Sequence, residues 1–271
     1  DEEEIIWEDQ IRGKIYWRGK DLGGDMVLSR RSFGYEIGTP LYNLAVVVDD
    51  HFMKINHVVR GEDHISNTAK QILLYKSLNY ELPIFSHTPL ILNKEGKKLS
   101  KRDSVTSIDD FKGMGYLPNA MTNYMALLGW SVKTGDNEIQ TIDEIAKKFE
   151  LKDVNKAGAK FNWEKLNWIN SQYIKKMNIN DLYNIFKEYW KNKGWKEESS
   201  QWGIELTKLL QDSITVLNDI VDQSAPFFEI PKIDNSGDAF LKENGKLSLE
   251  KIYDALNQDK ELINKNVAKN L

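Results

Sequence analysis

Between residues 57 and 102 the chain follows an order that few folds can absorb. His57-Val58-Val59 is a short apolar run ending in Arg60-Gly61-Glu62-Asp63-His64. Residues 65–78 have a helical pattern, with Ile65, Ala69, Leu73 and Tyr75 among the less polar positions and Ser66 and Asn67 as candidate caps. Pro83-Ile84-Phe85 and Pro89-Leu90-Ile91-Leu92 follow, and then a basic loop, Lys98-Leu99-Ser100-Lys101-Arg102, with Lys94 and Lys97 beside it. Strand, helix, strand and loop make a βαβ-like half of an α/β fold. Open α/β sheets place their ligand crevice beyond the carboxyl ends of the strands, where both charged clusters fall.

The flanking segments differ from this centre. Ile5-Ile6-Trp7, Lys14-Ile15-Tyr16-Trp17 and Met26-Val27-Leu28 are β-prone runs punctuated by Gly19 and Gly23-Gly24. They are short for a sheet with its own core, and read as one end of a larger domain. Leu44-Ala45-Val46-Val47-Val48 is continuously apolar, and periodicity leaves strand and helix equally open there. After Arg102 the pattern turns helical. Thr106 and Ser107 precede Asp109-Asp110 as an N-terminal cap, Pro118 opens a helix over 119–128, and residues 142–149 carry acids early and lysines late. Amphipathic helices are expected over 161–174, 182–190, 206–220 and 249–256, with Pro226 and Pro231 breaking the chain. The expected class is α/β followed by all-α.

Composition sets outer bounds. With 271 residues, 41% hydrophobic and 29% charged, the chain can hold more than one domain with a real core. It has no cysteine, which excludes disulfides, thiolate nucleophiles and Cys-ligated zinc. No apolar run is long enough to span a bilayer. The balance of 37 basic and 41 acidic residues, net −4, means that any nucleic-acid face must come from local clustering.

Several residues stand out by type and place. Taken alone, the basic loop reads equally as a solvated turn or as a phosphate-binding loop. Arg60, between a valine run and Gly61, is unusual for a core position and natural for a carboxylate fork. Asp63 and His64 read in isolation as a helix N-terminal acid and a surface histidine, and Tyr42 as a core aromatic with its hydroxyl at the surface. The adjacent acids Asp49 and Asp50 could suggest a metal pair, but neighbouring residues do not point the same way, and a turn or structural role fits better. His51, His57 and His87 lack ligand spacing and read as satisfied structural histidines.

The loop closely resembles the KMSKS signature of class I aminoacyl-tRNA synthetases, and its KLSKR spelling resembles the bacterial and organellar glutamyl-tRNA synthetases. The resemblance continues in order through Pro40 to His51, Val59 to His64 with Lys70 to Tyr75, Gly115 to Ala120 with Asn123 to Ser131, and Phe161 to Leu166 with Trp168, Asn170 and Tyr173-Ile174. It implies the second half of a Rossmann-like catalytic domain followed by helical domains: 1–37 as the tail of an acceptor-binding insertion, 38–103 catalytic, 104–175 contacting the tRNA stem, and 176–271 of the anticodon-binding type. It also implies ATP-dependent ligation of L-glutamate to tRNA(Glu) through glutamyl-adenylate, with Mg2+ arriving on ATP and no zinc in this segment. By resemblance Lys98, Ser100, Lys101 and Arg102 are catalytic, and Leu90, Ile91, Lys101 and His64 face ATP. Tyr42, Arg60 and Asp63 face glutamate. A monomeric, cytoplasmic or organellar protein with no membrane partner is expected.

The resemblance covers residues 8–175 well and then fades to a general helical likeness. No HIGH-type motif occurs, so the chain is expected to be an internal segment that forms no adenylate by itself. Two rivals remain. A glutaminyl-tRNA synthetase is expected to continue into β-barrels where this chain reads helical. A non-catalytic tRNA-binding or assembly module is the other.

Overall fold

The computed structural model describes residues 3–31, 38–99, 107–130 and 137–229, with isolated positions at 237, 242, 245, 250 and 251 beyond. Its first layer is a four-stranded sheet. Strand β1 (Glu4–Asp9) and β2 (Gly13–Arg18) form an antiparallel hairpin. β3 (His57–Gly61) and β4 (Ile84–Thr88) pair in parallel, and β1 joins β4 in parallel, giving the order β2-β1-β4-β3. Parallel neighbours need a crossover. Here it is α2 (Ile65–Ser77), the expected strand–helix–strand unit.

The hairpin therefore has no core of its own. β1 alternates exposed and buried positions, so that Ile5, Trp7 and Asp9 face inward. Ile5 and Trp7 pack with Val47, Ala69, Ile72, Leu74, Tyr75 and Phe85 under the sheet. The sheet thus runs across residue 37, joining the first expected segment to the second. Residues 26–28 are not a strand. Their neighbourhood contributes only an isolated bridge, Ser29 to Pro40, and Val27 is exposed.

The ambiguous run over 44–48 is helical, within α1 (Tyr42–Phe52). Val47 is its fully buried position, Asp49 is exposed, and Lys54, in a left-handed conformation at φ 57°, turns the chain toward β3. α2 starts at Ile65 with His64 as its uncapped N-terminal residue, so Ser66 and Asn67 lie inside the helix rather than at its cap. The 3-10 turn Glu62–His64 has already turned the backbone before Ser66 is reached.

The second layer is helical. α3 (Ile108–Gly113) begins with a complete capping box between Ser107 and Asp110. α4 (Pro118–Gly129) has proline in its first turn, and α5 (Ile142–Lys148) has a second capping box, Thr141 with Glu144. α6 (Trp163–Lys176) packs against α4 around Phe111, Tyr116, Tyr124, Phe161, Leu166 and Ile169. α7 (Ile179–Asn192), α8 (Ser200–Gln211) and α9 (Asp219–Phe228) enclose a further core around Phe186, Trp190, Leu206, Leu210 and Ile220.

Two expectations are corrected here. The helix expected over 206–220 is interrupted between α8 and α9, because Asp219 Oδ2 draws in the N–H groups of Thr215 and Val216 at 2.9 Å each. Pro226 lies within α9 rather than ending it. Its missing N–H falls close to the helix end, which Glu229 N closes on the Ala225 carbonyl at 2.8 Å. The helix expected over 249–256 lies almost wholly outside the described residues. No described helix is long and apolar enough to cross a membrane.

A short parallel ribbon joins the two layers. β5 (Ile91–Leu92) leaves the sheet and pairs with β6 (Ala159–Lys160), which leads into α6. The two apolar runs before the basic loop therefore belong to two sheets, the first to the sheet of β4 and the second to that of β5.

Candidate active site

The C-terminal ends of β3 and β4, the first turn of α1 and the first turns of α2 meet around Arg60. The β3 backbone aims its side chain toward α2. There Nη2 donates to Gln71 Oε1 at 2.7 Å and to the Thr68 hydroxyl. Nη1 reaches the Tyr42 hydroxyl and Nε reaches His87 Nε2, each at 3.5 Å. The guanidinium carbon lies 5.8 Å from the centre of the Phe85 ring. Every one of these partners is a neutral or aromatic group. Burial lowers the Arg60 pKa, against the pull of Tyr42 and Asp50, so the cation is partly stripped of water without an ion-pair partner among the described residues.

Tyr42 and His64 complete this side. The Tyr42 hydroxyl lies 3.4 Å from His64 Nδ1, which is 3.2 Å from Asn67 Nδ2. Tyr42 remains half exposed, so its hydroxyl is open to a ligand. Tyr42 and Arg60, two of the three residues expected to face glutamate, thus cluster with His64, which was expected to face ATP. Asp50, in the last turn of α1, hydrogen-bonds Tyr75. Burial holds its carboxyl above the usual range despite Arg60 and Tyr75, and burial together with Asp50 pushes the Tyr75 hydroxyl up to about 12. Asp49 points to solvent, so the two acids do diverge. No three His, Asp or Glu side chains among the described residues converge as a metal cage.

Asp63 lies on the other side of the crevice. Its Oδ2 accepts from Lys98 Nζ at 2.6 Å, and this hydrogen bond, against a small burial effect, holds the Asp63 carboxyl below the usual range. Both side chains are exposed, so the pair adds little to stability, but it fixes where the stalk of the basic loop starts. Leu99 N donates to the Ile91 carbonyl at 2.9 Å, keeping the stalk against β5. Leu90 N is bound by Glu62 Oε1 at 3.0 Å, and Glu62 Oε2 pairs with Arg12 Nη2 at 2.6 Å. Ser100, Lys101 and Arg102 lie outside the described residues.

A family model described as class I tRNA synthetases (E and Q), catalytic domain, matches residues 1–168. The chain belongs to the class I glutamyl- and glutaminyl-tRNA synthetase family. This synthetase chain is 66% identical over 254 residues to the glutamate–tRNA ligase of Prochlorococcus marinus subsp. pastoris, covering 93% of itself and 53% of that relative. It is 63% identical over 270 residues to that of Prochlorococcus marinus strain MIT 9301, covering 99% and 57%. A crystal structure of a glutamate tRNA ligase from Elizabethkingia meningosepticum, in complex with its amino acid, superimposes with a TM-score of 0.80 at 32% identity, over 94% of this chain and 53% of that one. The glutamate-tRNA synthetase of Elizabethkingia anophelis gives 0.77 at 34%, over 87% and 50%. The chain spans about half the length of the curated relatives it matches.

The candidate site also contains residues that stand out less in the sequence. Thr68 and Gln71 are polar yet fully buried on α2, one turn apart, and Gln71 Nε2 donates onward to Asn43 Oδ1 at 3.1 Å. Their signal was their spacing beside Ala69 and Ile72: two polar side chains on a core face require a polar partner, and Arg60 is that partner. Asp9 was missed too. Alternation from Ile5 and Trp7 puts it inward, where an acid requires donors.

Proposed function

We propose that the chain carries the amino-acid-facing arginine and one arm of the ATP site of a glutamate–tRNA ligase. The observation that carries this is Arg60. It is a partly desolvated cation oriented by Tyr42, Thr68, Gln71 and His87, with a half-exposed tyrosine hydroxyl beside it. A ligand carboxylate supplies the missing countercharge, received by Arg60 Nη1 and the Tyr42 hydroxyl. Relatives named glutamate–tRNA ligase that cover nearly all of this chain support glutamate as that ligand.

The chemistry then follows from charge. A glutamate α-carboxylate oxygen attacks the α-phosphorus of ATP, the bond to pyrophosphate breaks, and glutamyl-adenylate forms. A terminal ribose hydroxyl of tRNA next attacks the adenylate carbonyl, releasing AMP. The first transition state spreads negative charge over phosphate oxygens, and fixed cations lower its barrier by matching that charge. Lys101, with Lys98 and Arg102, fills this role in our reading, Ser100 shapes the loop, and Mg2+ arrives on the ATP phosphates. Leu90 and Ile91 offer an apolar edge to adenine, the Leu90 N–H, Leu90 carbonyl and Ile91 carbonyl being already bonded to Glu62, Ala159 and Leu99, and His64 stands between the two substrates. Asp63 restrains Lys98 until phosphates compete for it.

The helical run α7 to α9 supports the glutamyl over the glutaminyl assignment, for which β-barrels are expected after the stem-contact region. The test is ATP–pyrophosphate exchange by the full-length protein with tRNA present. Exchange should depend on glutamate and yield glutamyl-tRNA. Exchange driven by glutamine, or none with glutamate, would overturn the assignment.

A further inference from the structure

Behind Arg60 lies a polar chain that the reaction above does not use. The Asp9 and His87 side chains are both fully buried, and His87 Nδ1 lies 2.6 Å from Asp9 Oδ2. The other carboxylate oxygen, Oδ1, accepts backbone N–H groups from Ile11 at 3.0 Å, Arg12 at 2.9 Å and His87 at 3.1 Å. Asp9 is thus filled with donors and offers Oδ2 to one imidazole N–H. That fixes the proton on His87 Nδ1 and leaves Nε2 as an acceptor. His87 Nε2 faces the Thr68 hydroxyl at 2.9 Å and Arg60 Nε at 3.5 Å. The Thr68 hydroxyl accepts from Arg60 Nη2, and its one proton has two acceptors within reach, Nε2 and the His64 carbonyl at 3.1 Å.

We propose that Asp9 is a positioning residue for Arg60, acting through the tautomer of His87. With Nε2 bare, Arg60 Nε has an acceptor, and the guanidinium stands with its Nη1 edge toward Tyr42. With the proton on Nε2, a donor would face Arg60 Nε, and the guanidinium would turn away from that contact. The proposal rests on the reading of Arg60 as the carboxylate-holding residue.

Asp9→Asn separates geometry from proton placement. The three backbone N–H groups at Oδ1 keep the amide oxygen there, so the amide nitrogen faces His87 Nδ1 and drives the proton to Nε2. An aspartate-to-asparagine change behind a catalytic histidine in serine proteases has this consequence, with geometry intact and tautomer reversed. The test uses the full-length protein with ¹⁵N-labelled histidine, His87 being assigned by the signal lost in His87→Gln. Asp9→Asn should move the His87 proton from Nδ1 to Nε2 and raise KM for glutamate roughly 10- to 100-fold. KM for ATP should stay within about twofold. Thr68→Val, which removes the bridging hydroxyl without touching the acid, should give the same split if the asparagine variant fails to fold. An unchanged tautomer, or a flat glutamate KM in a folded variant, overturns the relay. A flat glutamate KM in Arg60→Lys would instead overturn the site reading, and the tautomer result would still be readable.

Discussion

Replacing Arg60 by lysine tests the site most directly, because it keeps the charge and removes the fork. In the native site Nη2 serves Thr68 and Gln71, Nε serves His87, and Nη1 faces Tyr42 and the crevice. A lysine ammonium is a single point on a shorter reach and cannot serve the two buried acceptors and a ligand together. The loss to the ligand is about one charge-assisted hydrogen bond, about 1.5–3 kcal/mol. That corresponds to a fall of roughly 10- to 150-fold in kcat/KM for glutamate. The fall should appear mainly in the glutamate term, since none of the Arg60 contacts lies on β5 or the basic stalk. Folding should lose about 1–3 kcal/mol as well, because Thr68 and Gln71 lose a donor while a partly buried cation remains. The assay is pyrophosphate exchange at varied glutamate and fixed ATP, with urea unfolding as the control. A kcat/KM for glutamate within about threefold of the parent would refute the carboxylate role.

The remaining expectations concern the frame. Asn170 is fully buried and ties three segments, accepting from Leu117 N at 2.9 Å and donating to the Thr215 carbonyl at 2.6 Å. Asn170→Leu should cost about 2–5 kcal/mol in urea unfolding, since both backbone groups lose their partner. Gly203→Ala should destabilise by about 1–2 kcal/mol although alanine favours helix. A Cβ there would stand 2.6 Å from the Tyr183 ring and 2.5 Å from Glu197 Oε2, which Tyr183 and Lys187 hold in place. A rise in melting temperature would refute the close packing of α7 on α8. Burial raises the Asp9 carboxyl, but its hydrogen bonds from His87 and the backbone outweigh this and leave it below the usual range. Its folded value is therefore the lower one, so its contribution is complete above about pH 4 and is lost as pH falls through the folded value. Stability should rise with pH across that acid window, and Asp9→Asn should flatten the slope in acid denaturation monitored by fluorescence.

Local chemistry was legible in the sequence, and long-range pairing was not. The cap at Ser107, the proline at 118 and the arginine at the end of β3 are each set by neighbours within a few residues. Asp9 and His87 are 78 positions apart, and neither carries a mark of the other. What could be read was that an inward-facing acid on β1 required a donor; which donor depends on β1 pairing with β4. The run over 44–48 was ambiguous because an apolar stretch of that length serves either element, and packing on α2 decided for helix. The interruption between α8 and α9 was hidden because Ile214 stays buried inside the turn, preserving the apolar period while the backbone leaves the helix. The last three residues of the basic loop fall outside the described part of the chain, so their roles rest on resemblance alone.

The basic stalk is anchored by two bodies at once, and this bears on how the two halves of the molecule communicate. On the sheet side, Asp63 holds Lys98, while Glu62, itself held by Arg12 from the β-hairpin, takes the N–H of Leu90. On the helical side, β5 pairs with β6: Ala159 N donates to the Leu90 carbonyl at 3.1 Å and Phe161 N to that of Leu92 at 2.8 Å. Leu99 and Ile91 pack against the core built by α4 and α6. The approach is close enough that a Cβ on Gly158 would meet Leu92 Cδ1 at 2.6 Å, so the ribbon has no slack for a side chain there. Backbone hydrogen bonds of this kind transmit displacement without large rearrangement, because breaking one inside a packed layer leaves an unsatisfied group. A shift of α6 relative to the sheet would therefore have to strain either the β5–β6 ribbon or the Asp63–Lys98 and Glu62–Leu90 contacts. The position of the stalk relative to Arg60 is held from both layers together.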